Sequence, residues 1–141
     1  MSWRTVVVGY RRDHASTRAL ERAAEIARDD GAALIVTSIV RPLATGAAAR
    51  GIGPYDPADP PELHRAELEH ARELLATSGV EAQFDLEVGE PAEAIVALAE
   101  RRGADLIVVG THDRHFLDRL LHGSVSEEVG KHAHCDVLIV R

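Results

Sequence analysis

The stretch VGEPAEAIVALAERRGADLIVVGTH, residues 88–112, decides the fold. From about Pro91 to Arg102, Ala94, Ile95, Leu98 and Ala99 recur on one side of a helix. A proline is tolerated in a first helical turn, and Gly103 is a natural stop. The run DLIVVG (105–110) then follows, apolar without interruption. Strands buried on both faces read this way.

The same rhythm extends in both directions. TVVVGY (5–10) and ALIVTSIV (33–40) are further continuous apolar runs, and DVLIV (136–140) closes the chain. AQFDLEV (82–88) alternates instead, which predicts a half-exposed edge strand. Between the first two runs, Ala19, Leu20, Ala23, Ala24 and Ala27 mark a helix, with Ser16 as its N-cap and Gly31 as its stop. A second helix follows ADPPE, capped by Asp59, with Leu63, Ala66, Ala71, Leu74 and Leu75 as its apolar face. A fourth helix starts near Ser124, where Ser124 and Glu127 form a capping box. Alternating strands and helices predict one α/β domain over residues 1–141, a parallel sheet with helices on both faces.

Two segments break the pattern. RPLATGAAARGIGPYDPADP (41–60) holds Pro42, Pro54, Pro57 and Pro60 and three glycines, and is longer than most connections. It reads as a long mobile loop. The last strand could lie at a sheet edge, and an exposed apolar edge invites pairing. A homodimer through Val137–Val140 is therefore expected.

Composition narrows the function. The 141 residues carry a formal net charge of -7 and no block of Lys or Arg, which argues against a nucleic-acid partner. No run approaches the roughly 20 apolar residues of a membrane span. Cys135 is the single cysteine, so no intramolecular disulfide can form, and the start MSWRTVVVGYRRD is too short in apolar residues for a signal peptide. Cytoplasmic residence is the expectation.

The chain lacks a P-loop, a G-x-G-x-x-G fingerprint, a G-x-S-x-G elbow and an H-E-x-x-H helix. No nucleophile–base pair stands out, so no enzyme activity is expected. His112, His115, His132, His134 and Cys135 invite a metal reading, but convergence of three or four ligands is not evident. His132 suits the last turn of a helix, and His134 and Cys135 lead into a strand read as buried. No metal site is expected.

In an open α/β sheet, ligands sit beyond the carboxyl ends of the strands, where strand order reverses. Here those ends carry GYRRDHAS, SIVRP and GTHDRHFLDRLLHGS. Gly123 and Ser124 open the final helix, whose N-terminal amides favour an anion. The capping box explains Ser124 without a ligand, and Leu117, Leu120 and Leu121 explain the middle of that loop as packing.

Over nearly its whole length the chain resembles the universal stress protein family. The resemblance is carried by STRALERAAEIARDDGAALIVTSIV, VGEPAEAIVALAERRGADLIVVGTH and RLLHGSVSEEVGKHAHCDVLIVR. It implies a five-stranded parallel sheet in order 3-2-1-4-5, a Rossmann-like fold of the adenine-nucleotide alpha-hydrolase type, and dimers, often through the final strand. Some members bind ATP and others do not. Binders carry a glycine loop, G-x-x-G, nine residues, then G-[ST]. Gly110 matches its first glycine and Gly123 with Ser124 its last pair, but Asp113 stands at the middle glycine. Binders also carry an Asp-Gly-Ser run after strand one; here Arg11, Arg12 and Asp13 stand there. The backbone position near the base maps to Ile39.

The residues that would line a retained nucleotide site are thus Tyr10, Arg11, Ile39, Gly110, Asp113, Arg114, Gly123 and Ser124. A carboxylate near phosphate, a non-glycine loop residue and a lost nucleoside hydrogen bond together weaken ATP by about 10² to 10³. Against that, Arg11, Arg12 and Arg114 could pair with phosphate, or one of them with Asp113, closing the pocket. The resemblance then implies a non-catalytic, dimeric stress-response protein with a degenerate pocket, no cofactor and unknown protein partners. The alternative is a switch that binds ATP or AMP.

Overall fold

The computed structural model describes residues 2–42, 55–111 and 125–141. Within them, β1 (Thr5–Gly9), β2 (Ala33–Val40), β3 (Ala82–Val88), β4 (Leu106–Gly110) and β5 (Asp136–Val140) form one sheet in the order β3-β2-β1-β4-β5. Every pairing is parallel, with Val7 opposite Ile35 on one side and Ile107 on the other. The helices are α1 (His14–Asp30), α2 (Pro61–Leu75), α3 (Pro91–Arg102) and α4 (Val125–His132). The expected sheet order and the layer of helices on each face are both present.

Side chains alternate across the inner strands and fill two cores. Val6, Val8, Leu34, Val36 and Val108 pack with the alanine face of α1 and with Leu68, Ala71 and Leu75 of α2. Val7, Ile35, Ile107 and Val109 pack with Ile95, Leu98 and Ala99 of α3 and Val129 of α4. The unbroken apolar runs in β1, β2 and β4 therefore exist because each inner strand is dry on both faces. Asp105 ties the start of β4 to β1: its carboxylate accepts from the N–H groups of Arg4 and Thr5 at 2.9–3.1 Å. Desolvation pushes its pKa up, but these backbone donors outweigh that and hold it below the usual aspartate range.

Several local expectations are corrected. The N-cap of α1 is Asp13, not Ser16: the Asp13 carboxylate accepts from the Ser16 N–H at 2.8 Å. Both residue types cap well, and the turn after β1 is short enough to place the earlier one. Asp59 does not cap α2; Pro60 occupies the cap position without a side-chain bond, and Asp59 turns to His64 instead. The buried face of α2 is rotated from the one expected. Leu63 and Leu74 are exposed, while His64, Glu67, Leu68, Ala71 and Leu75 point inward.

The strand after His134 and Cys135 is not buried: β5 is a half-exposed edge. His134 is itself exposed and meets Glu100 at 3.2 Å. Cys135 is half-buried against the α3–α4 core, where burial pushes its thiol pKa up. The Gly31 and Gly103 stops hold, both left-handed at φ near 65° (67° and 63°). Most of the 41–60 loop lies outside the described residues; Pro42 and Tyr55 form an antiparallel bridge. The start of the final helix at Ser124 also lies outside them.

Candidate functional site

Strand order reverses between β1 and β4, so the crevice sits above their carboxyl ends. One wall is the turn from β1 to α1. Tyr10 extends β1 by donating its N–H to Thr37 O at 2.8 Å. The chain then doubles back, with the Asp13 N–H donating to Arg11 O at 2.8 Å. Arg11 and Arg12 are exposed there. Asp13 caps α1, and Thr17 Oγ1 donates to Asp13 O at 2.8 Å.

The second wall is the end of β4. Gly110 faces the first turn of α1 at a separation that leaves no room for a side chain. A Cβ placed there would lie 2.4 Å from Ala15 O and 2.6 Å from Ala15 C. The glycine at this position is therefore required by helix packing, whatever the crevice holds. Thr111 is buried next to it and donates its N–H to Val140 O at 2.9 Å.

Behind the β1–α1 turn lies a polar cluster that sequence reasoning missed. His64 of α2 is 4% exposed. Its Nε2 lies 2.6 Å from Asp59 Oδ1, and its Nδ1 lies 2.6 Å from Ser38 Oγ and 3.3 Å from Glu67 Oε1. Glu67 Oε2 in turn accepts the Arg12 N–H at 2.7 Å. Contacts thus run from the entry of α2 to the back of the β1–α1 turn. Beside it, the buried Tyr10 hydroxyl lies 2.6 Å from His70 Nδ1, with the two rings stacked at 6.1 Å. Burial raises the Tyr10 pKa first of all; Thr17 and Arg12 oppose this, and Glu67 and Asp13 add to it.

Hydroxyl, imidazole and carboxylate in a row form the pattern of an activated nucleophile. Here Ser38 is 1% exposed and faces the protein interior, so no substrate reaches it. The cluster acts as a brace. Its helical spacing, His64, Glu67, Leu68, Ala71 and Leu75, is as regular as that of the face expected, but it places a histidine and a glutamate inside. Hydropathy gives no reason to prefer that face.

Of the site residues expected, the structure brings Tyr10, Arg11 and Gly110 to the crevice walls. Ile39 is half-buried near the end of β2 and packs on the α3 side. Asp113, Arg114, Gly123 and Ser124 lie outside the described residues, as do His112 and His115. Among the described residues, no group of three or more His, Cys, Asp or Glu side chains is placed to hold a metal ion. No helix among them is long and apolar enough to cross a membrane.

Comparison with known proteins follows this geometry closely. The model of the universal stress protein family matches residues 2–141. Universal stress protein MJ0531 of Methanocaldococcus jannaschii is 43% identical over 74 residues, covering 52% of this chain and 44% of the relative. The chain thus aligns with about half the length of such curated relatives. A putative universal stress protein of Staphylococcus aureus is 30% identical over 149 residues, covering 100% of this chain and 86% of its own. Among solved structures, a universal stress protein in complex with cAMP is 31% identical, with a TM-score of 0.78, covering 100% of this chain and 98% of that one. One from Archaeoglobus fulgidus, 26% identical, has the same TM-score over 100% and 96%. With its strand order, both helical layers and a family match that spans all but the first residue, this chain belongs to the universal stress protein family.

Proposed function

We propose that the chain is a non-catalytic, dimeric stress-response protein whose nucleotide crevice is closed to ATP and which acts through protein partners. One observation carries this reading: backbone donors of the β1–α1 turn are already taken by the protein's own carboxylates. Asp13 holds the Ser16 N–H, and Glu67 holds the Arg12 N–H. Such amides are what an anion would otherwise use, and each carboxylate brings a negative charge to the turn. Arg11 and Arg12 stand where binders in the family carry Asp and Gly, which removes the nucleoside partner as well. Titration calorimetry with ATP is expected to give no heat of binding; a micromolar isotherm would defeat the proposal.

A second reading is favoured by the relative solved in complex with cAMP. Coulomb repulsion scales with the product of the charges. A cyclic nucleotide with one negative charge is disfavoured far less by Asp13 and Glu67 than is ATP. If the crevice takes a nucleotide, cyclic AMP therefore binds before ATP, and the same calorimetry ranks the two.

The dimer rests on a contrast between the two sheet edges. β3 is guarded by charge: Arg101 meets Glu87 at 2.5 Å, and Arg102 meets Asp85 at 2.8 Å. Arg72 lies over the Phe84 ring at 4.3 Å. β5 offers Val137, Leu138, Ile139 and Val140, with Ile139 38% exposed. Charged edges resist pairing and apolar ones invite it, so a second β5 is the fitting partner. Sedimentation at micromolar concentration is expected to show a dimer, and Ile139→Asp a monomer. A monomeric wild type sinks this part.

A further inference from the structure

A second hollow lies away from the crevice, at the carboxyl ends of β2 and β3 rather than those of β1 and β4. Its volume is about 630 Å³. Small-molecule sites typically fall between about 300 and 1,000 Å³. Val40, Leu86 and Val88 line it from the sheet, and Tyr55 from the chain that leads into α2. Tyr55 is 38% and Val88 44% exposed, so large apolar side chains are left open there. The segment after Tyr55 is stiff. Pro57 and Pro60 fix their own φ. The Ala58 N–H donates to Asp56 Oδ1 at 2.8 Å, and Asp59 is tied to His64 at 2.6 Å. A wall fixed in this way is formed in advance of any ligand, which lowers the cost of binding.

Three charged residues complete the lining: Asp56, Glu62 and Arg65. Glu62 and Arg65 stand three apart on α2, a spacing at which opposite charges meet. Glu69 and Arg72 do meet on the same helix, in the same order, at 3.3 Å. Arg22 and Glu25 meet on α1 at 3.2 Å. Glu62 and Arg65 do not, and among the described residues neither has another charged partner. One hollow thus combines apolar surface with an open anion and an open cation one helical turn apart.

We propose that this hollow binds a free α-amino acid with a large apolar side chain. The ligand's ammonium group meets Glu62 and Asp56, its carboxylate meets Arg65, and its side chain lies against Tyr55, Leu86 and Val88. Such a molecule carries opposite charges on neighbouring atoms, so it can bridge two side chains whose Cβ atoms are about 5–6 Å apart. The Arg65 guanidinium suits a carboxylate in particular. A hydrocarbon would leave both charges unanswered, and a nucleotide would bring its phosphates to two carboxylates. The hollow shares no residue with the crevice walls, so this site stands whether the crevice is open or closed.

The test titrates the full chain in a calorimeter with L-phenylalanine and three relatives. N-acetyl-L-phenylalanine lacks the cation, L-phenylalaninamide lacks the anion, and L-serine lacks the apolar side chain. Wild type is expected to bind phenylalanine saturably and each relative at least about tenfold more weakly. Arg65→Gln is expected to weaken phenylalanine by about tenfold and to change the amide by less than about threefold. A merely structural role for Arg65 would not produce that split. Arg65 is exposed, so the variant is expected to fold, and far-UV circular dichroism checks this. No saturable binding of phenylalanine to wild type overturns the proposal. Equal affinity for the free and blocked forms overturns it too, as does a folded Arg65→Gln that binds phenylalanine unchanged. If that variant fails to fold, the four ligands on wild type decide alone.

Discussion

Gly110→Ala lowers the free energy of unfolding by about 3 kcal/mol, at the upper end of what overpacking costs. The new methyl would sit 2.4 Å from Ala15 O, 2.6 Å from Ala15 C and 3.1 Å from Ser16 N. All three atoms belong to the backbone of the first turn of α1, so no side chain can swing away to make room. Relief requires α1 to shift as a body. That helix is held by Ala19 and Ala23 at 0% exposure and Ala27 at 2%, small residues that let it lie close to the sheet. Interiors are packed densely enough that such a shift disturbs many contacts at once. Gly130→Ala is the matching control. It lies within α4 with no other element of the described residues inside 4 Å of the added carbon, and alanine is the better helix former by about 0.8–1 kcal/mol. Urea unfolding should therefore move the midpoint down for Gly110→Ala and up for Gly130→Ala. An unchanged midpoint for the first would remove the packing explanation for this glycine and return it to the ligand.

His64→Ala is expected to cost roughly 3 kcal/mol or more, because the ring meets three side chains of one largely buried cluster. Without it, Ser38 at 1% exposure loses a hydrogen bond, and among the described residues Glu67 keeps the Arg12 amide. Asp59 loses a bond of 2.6 Å that fixes the entry to α2. The vacated ring volume adds a cavity term. Ser38→Ala, which removes one hydroxyl and leaves the ring tied to both carboxylates, should cost about 1 kcal/mol. The order of the two midpoints in urea is the informative result. If His64→Ala is the milder change, the cluster contributes little and the bonds along it are incidental. A cycle combining His64→Ala with Glu67→Ala measures the link directly, since residues in one network show non-additive effects.

These residues mark where reading the sequence stops being enough. In α1, five apolar residues at helical spacing, four of them alanine, name the buried face unambiguously, and the structure buries all five. In α2, two faces offer comparable periodicity. Leu63, Ala66 and Leu74 make one look more apolar, yet the other is buried, because α2 must present Glu67 and His64 to Arg12 and Ser38. Nothing local to α2 encodes those partners, which lie 55 and 26 residues away. Gly110 shows the same limit from another side. Its match to a glycine loop is visible in the sequence, but its contact with Ala15 exists only once β4 and α1 are packed.

The order of elements, the two-sided burial of the inner strands and the charged edge at β3 follow from the sequence alone, since periodicity and hydropathy are local and repeat along the chain. Which face α2 turns inward, which carboxylate reaches the Arg12 amide and why Gly110 lacks a side chain were settled by tertiary packing. Each of these depends on distances between residues far apart in the chain, and a hydrogen bond or a steric contact has no existence until the fold sets that distance.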